Sequence, residues 1–160
     1  MIRKALVIVS IALFASAAAL SAQVRTDRPN DFGIEFGGKC LLYGLGYQRA
    51  LSPNFAAEAS ISYFGGSNSS EVASAFFIGG GAKYYLLKTN ASPYVGAGVM
   101  YATADTDAGP FNGAGGFYTY ITPGFEFRMA ERFVFKAGVY FLIADGDLAV
   151  WPGLSLGYAF

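Results

Sequence analysis

The sequence predicts an all-β fold, an eight-stranded antiparallel up-and-down transmembrane β-barrel, and three observations carry that reading. The 160 residues are 54% hydrophobic and only 14% charged, with 21 Gly, 15 Phe and 11 Tyr. Gly weakens helices, while Phe and Tyr favour strands. Large apolar side chains recur at every second position over segments of about ten residues, and no helical period runs far enough to compete. The opposite face of the same segments is narrow, built of Gly, Ser and charged residues. Turned to water, eight such apolar faces would far exceed the patch a soluble monomer carries. Lipid is therefore the outer solvent, and in lipid a sheet satisfies its backbone only by closing into a barrel.

The first residues, "MIRKALVIVSIALFASAAALSAQ", are set aside from the fold. Arg3 and Lys4 precede an apolar stretch, and small residues follow with a cleavage region near Ala19 to Ala22, which is the layout of a secretory signal peptide. The expected division is 1–22 signal peptide and 23–160 barrel domain. The strongly apolar part falls short of the ~20 residues that cross a bilayer as a helix. Without Arg3 and Lys4, nine Lys or Arg face eleven Asp or Glu, a balance that disfavours nucleic acid as a partner. The lone Cys40 cannot form an internal disulfide.

The segments follow in order. Strand 1 is expected over 32–38, with Phe32, Ile34 and Phe36 on one face. Strand 2 (41–51) sets Leu41, Tyr43, Leu45 and Tyr47 against Gly44, Gly46 and Gln48, and "LSPN" turns the chain. Strand 3 (55–64) sets Ala57, Ala59, Ile61 and Tyr63 against Glu58, Ser60 and Ser62. Strand 4 (73–87) follows the polar "GGSNSSE" and opposes Ile78, Ala82, Tyr84 and Leu86 to Gly79, Gly81, Lys83 and Tyr85.

"KTNAS" leads to strand 5 (93–103), with Val95, Ala97, Val99 and Tyr101 outward. The long "ADTDAGPFNGAGG" precedes strand 6 (117–128), where Phe117, Ile121, Phe125 and Phe127 oppose Tyr118, Tyr120, Glu126 and Arg128. "MAER" turns into strand 7 (133–143), and "ADGDLA" into strand 8 (150–160). The even count, strand lengths and alternation of short turns with longer loops suit a membrane barrel. Aromatic residues near the strand ends suit its two interfacial girdles.

The terminal "LSLGYAF" places Leu154, Leu156, Tyr158 and Phe160 on one face and Ser155, Gly157 and Ala159 on the other. With the signal segment, the eight alternating stretches and runs such as "ASPYVGAGVMY", the chain resembles the small eight-stranded outer-membrane β-barrel family, that of outer membrane protein X and the barrel domain of outer membrane protein A. The resemblance implies a bacterial outer-membrane location. It also implies that Leu154, Leu156, Tyr158 and Phe160 form the C-terminal signal read by the barrel assembly machinery. Outer-membrane lipids and lipopolysaccharide are the implied partners, and a monomer is the implied state. Fold alone does not name an activity, because one architecture hosts many.

The sequence has no histidine. The Ser-His and Asp-His arrangements of hydrolases cannot be assembled, and imidazole metal ligands are missing. No catalytic residue, cofactor or metal is assigned, and the chain is read as a non-enzyme. Asp105, Asp107, Asp145 and Asp147 lack the further ligands a calcium site needs and read as solvated loop acids. The charges on the narrow face carry more. Glu35, Glu58, Lys83, Glu126, Arg128 and Lys136 fall there, three acids and three bases.

An eight-stranded barrel is just wide enough for its own side chains, so these six are expected to pair and close the lumen. That makes the protein a structural or surface-interaction barrel; the alternative is a narrow pore or lateral-diffusion pathway for small or hydrophobic solutes. Pro123 and Pro152 fall inside strands, where proline removes a ladder hydrogen bond. They mark either ordinary bulges or a weakened seam.

Overall fold

A computed structural model describes residues 24–68, 71–104, 115–129 and 132–160. A single helical turn, α1 (Val24–Asp27), leads into β1 (Asn30–Gly37) and β2 (Tyr43–Ala50). There follow β3 (Phe55–Asn68), β4 (Glu71–Tyr85), β5 (Ala91–Ala104), β6 (Gly116–Met129), β7 (Phe133–Ala144) and β8 (Asp147–Ala159). Each strand pairs antiparallel with the next, and β8 returns to β1, so the sheet closes. Closure is fixed by the register Phe32↔Tyr158, Ile34↔Leu156 and Phe36↔Leu154. Reciprocal backbone bonds between Asn30 and Phe160 extend it, 3.2 and 2.8 Å long.

Alternation sets the two faces. Phe32, Ile34, Phe36, Leu45, Ile61, Ile78, Val95, Val99, Ile121, Leu154 and Leu156 are all exposed on the outside. Tyr47, Phe55, Tyr84, Phe133, Tyr158 and Phe160 are exposed at the end carrying the short turns, and Tyr43, Tyr63 and Phe117 at the other. Cross-strand contacts hold these rings, with Phe133 edge-on to Tyr158 at 5.9 Å and Tyr101 against Phe117 at 5.0 Å. The short turns mark the inner end of the barrel and the opposite rim its outer end.

Several local expectations are corrected. "GGSNSSE" is largely strand, since β3 and β4 stay paired as far as Asn68↔Glu71. The second strand begins at Tyr43, not at position 41, because the chain folds inward as a 3-10 turn, Gly38–Cys40. Gly37, Gly38 and Leu41 take positive φ (69°, 62° and 63°) to make that reversal, and the Gly37 N–H donates to the Leu42 carbonyl at 2.7 Å. "ADGDLA" is no loop. Ala144 pairs with Asp147, leaving a two-residue hairpin of Asp145 and Gly146 at φ 51° and 92°. Positive φ at both central positions suits the twist of the flanking strands. Asp105, Asp107 and positions 1–22 lie outside the described residues.

The prolines are not bulges. In the β6–β7 ladder Ile121↔Phe141 and Gly124↔Gly138 keep one register, with no extra residue on either strand. The rows between them, at Thr122 and Pro123, are unpaired. Pro152 pairs with Val139 across β7–β8, again in constant register.

Candidate functional site

The barrel interior is the candidate site. Among the described residues four carboxylates, Asp31, Glu35, Glu58 and Glu126, and five cations, Arg25, Lys39, Lys83, Arg128 and Lys136, are buried. The six charges read from the sequence lie among them, but the expected equality of acids and bases does not hold for this larger set.

The charges form two levels. At mid-barrel, Lys39 rides inward on the 3-10 turn, and its Nζ lies 2.9 Å from both Glu35 Oε1 and Glu58 Oε2. Lys83 Nζ approaches the same Glu58 oxygen at 2.8 Å, and the Tyr120 hydroxyl donates to Glu58 Oε1 at 2.7 Å. Glu58 thus meets two ammonium groups and a phenol. The turn is held from above, since the Tyr118 hydroxyl donates to the Lys39 carbonyl and Trp151 Nε1 donates to the Leu41 carbonyl at 2.8 Å.

Nearer the inner end, Glu126 is fully buried. Arg128 Nε and Arg25 Nε donate to its Oε1 at 2.9 and 3.0 Å. The Tyr85 hydroxyl and, at 3.4 Å, Gln48 Nε2 donate to its other oxygen. Asp31 receives Lys136 Nζ at 2.7 Å and Arg128 at 3.4 Å. Gln48 joins the levels, because its Oε1 accepts from Lys83 Nζ at 3.4 Å. Between them, a gap lined by Glu35, Lys83, Tyr94, Lys136 and Tyr140 has about 10 Å³, room for roughly one water.

Toward the outer end the interior turns apolar. Cys40, Phe77, Met100, Ala102, Tyr118, Tyr140 and Leu142 pack together there. A cavity of about 150 Å³ opens above them, between Leu41, Tyr118, Leu142, Ala144 and Ala149.

Asp31, Lys39 and Arg25 are the participants that the sequence reading missed. Asp31 continues the inward series of Gly33 and Glu35 by one step and was open to detection by extending the alternation. Lys39 and Arg25 stand on a turn and on a segment before the first strand, where alternation carries no information. Of the seam residues, Pro152 pairs with Val139 across β7–β8, while Pro123 lies in the unpaired stretch of β6–β7 between Ile121↔Phe141 and Gly124↔Gly138. The C-terminal Leu154, Leu156, Tyr158 and Phe160 are exposed outward, with Ala159 buried. Among the described residues no cluster of His, Cys, Asp or Glu could hold a metal ion.

No protein-family model matches the chain, and no curated protein does. Solved structures match the fold. The N-terminal β-barrel domain of OprF from Pseudomonas aeruginosa superposes with a TM-score of 0.64 at 18% identity, covering 82% of this chain and 96% of that one. The outer membrane protein Ail of Yersinia pestis, in a phospholipid bilayer nanodisc, gives a TM-score of 0.50 at 14% identity, covering 82% and 97%. Closed, eight-stranded, antiparallel and apolar outside, the chain has the fold of the small outer-membrane β-barrels.

Proposed function

We propose that the protein is an integral barrel of the bacterial outer membrane with a structural or surface-interaction role and no enzymatic one, its lumen closed by paired charges. The observation that supports this most is Lys39, carried to mid-barrel by an in-folded turn and clamped between Glu35 and Glu58 at 2.9 Å each. A charge buried in a narrow lumen is tolerated only when paired and hydrogen-bonded. Such a cluster holds its side chains across the path that a solute would take. Proteoliposome swelling tests the reading. Vesicles carrying the refolded barrel should swell in small sugars no faster than empty ones, and swelling that scales with protein content would overturn it.

In this reading positions 1–22 are a cleaved signal peptide and 23–160 the mature barrel. Leu154, Leu156, Tyr158 and Phe160 engage the barrel assembly machinery, and the finished monomer contacts outer-membrane lipids and lipopolysaccharide. Heat-modifiable gel mobility in the outer-membrane fraction is the expected behaviour.

A second reading, lateral passage of a hydrophobic solute, is favoured by Pro123, which stands in the unpaired stretch of β6–β7, and by Pro152, paired with Val139 on the next seam. Proline donates no ladder bond, and β1 stops pairing with β8 at Gly37↔Gly153, one residue short of Pro152. Pro123→Ala should slow amide exchange at Val139 and Tyr140 if these rows open. Unchanged exchange removes the seam.

A further inference from the structure

We propose that the inner mouth of the barrel is a guanidinium receptor, filled by the chain's own Arg25 as a removable key. A guanidinium is planar and offers five N–H donors in a fixed fork. Every side of Arg25 is met by a group placed for that shape. Nε donates to Glu126 at 3.0 Å, one terminal nitrogen donates to the carbonyls of Pro53 and Leu87 at 3.0 and 3.2 Å, and the other donates to Thr89 at 3.1 Å. Its Cζ lies 3.9 Å from the centre of the Tyr85 ring, a cation–π contact of the kind that arginine favours. An ammonium has neither the span nor the flat face to satisfy this set.

The receptor belongs to the barrel and not to the arm. Its carbonyls come from the β2–β3 and β4–β5 turns, which are fixed by bonds that leave Arg25 out. Asn54 Nδ2 donates to the Tyr85 carbonyl at 2.7 Å, Tyr85 N–H donates to the Asn54 carbonyl at 2.7 Å, and Thr89 Oγ1 donates to the Ala91 carbonyl at 2.6 Å. Glu126 keeps Arg128, Tyr85 and Gln48 when Arg25 is absent. Without Arg25, the buried charges of the described residues number four of each sign. The barrel therefore stays balanced with the key withdrawn. On the segment before β1, Arg25 is buried while Thr26 and Asp27 beside it are exposed. A guanidinium-bearing ligand arriving at the inner mouth, such as an arginine side chain of another polypeptide, fits the vacated site.

Arg25→Ala, refolded in micelles and titrated with methylguanidinium or methylammonium, tests this by thermal melting and by the NMR signals of the Tyr85 ring. A ligand that binds only the folded state raises its melting temperature. The proposal expects saturable Tyr85 shifts and a rise in melting temperature with methylguanidinium in R25A, and neither in wild type, whose site is filled. Absence of a saturable response in R25A, an equal response in wild type, or an equal response to methylammonium would overturn it. If R25A refolds only with methylguanidinium present, the proposal stands. If it refolds under neither condition, R25K decides: melting at the wild-type temperature overturns the receptor, and a drop of several degrees supports it.

Discussion

Glu58 concentrates the electrostatics of the interior on one side chain, with Lys39 and Lys83 on one carboxylate oxygen and the Tyr120 hydroxyl on the other. Removing it leaves two buried ammonium groups short of a counter-charge, and breaking a buried pair from one side costs about 3–5 kcal/mol. Glu58→Ala should lose about that much in urea unfolding from micelles. A loss of only about 1 kcal/mol or less, typical of an exposed pair, would mean that water reaches the cluster. Residues of this kind were legible where the strand period applied. Glu35, Glu58, Lys83, Glu126, Arg128 and Lys136 share the inward phase of their strands, and that phase needs only the sequence. Their pairing did not follow from it, because which charges meet depends on the register between strands distant in sequence. Glu58 and Lys39 are 19 residues apart, and Arg25 and Glu126 are 101 apart.

At the scale of elements, the 3-10 turn departs most from the sequence reading. Leu41 continues the apolar alternation of Tyr43 and Leu45 perfectly well, so the pattern extends the strand too far. The three positive φ angles at Gly37, Gly38 and Leu41 break it, and only the glycines gave any signal. Gly37 is the position to test. It combines φ 69° with a backbone carbonyl, that of Pro152, against the place where a Cβ would sit. Gly37→Ala should force the turn out of the lumen and withdraw Lys39 from Glu35 and Glu58. The single tryptophan reports the move, since Trp151 Nε1 donates to Leu41 in the turn. Its fluorescence is expected to shift to longer wavelength, and a spectrum like that of wild type would show that the turn tolerates the side chain. The Asp145-Gly146 hairpin shows the opposite limit. "DG" between alternating segments is a strong short-range turn signal, and Leu148, exposed like Val150, already continues the outward alternation of the last strand.

For the whole molecule, the solvent on each face of the sheet accounts for both surfaces. Lipid outside admits Ile, Leu, Val and aromatic rings without penalty, while closure leaves a lumen so narrow that its charges must satisfy one another. Composition and period were enough to reach the closed barrel, since both follow from the solvent on each face. The outer half of the interior was not legible. Its change from charged to apolar comes from Phe77, Tyr118 and Leu142, inward residues that look in sequence like any other large side chain. The central claim is that paired charges close the lumen, and single-channel recording in planar bilayers tests it most directly. The account predicts that inserted wild-type protein leaves the current at that of the bare membrane. A steady open level that appears with each insertion, and rises with salt concentration, would contradict it.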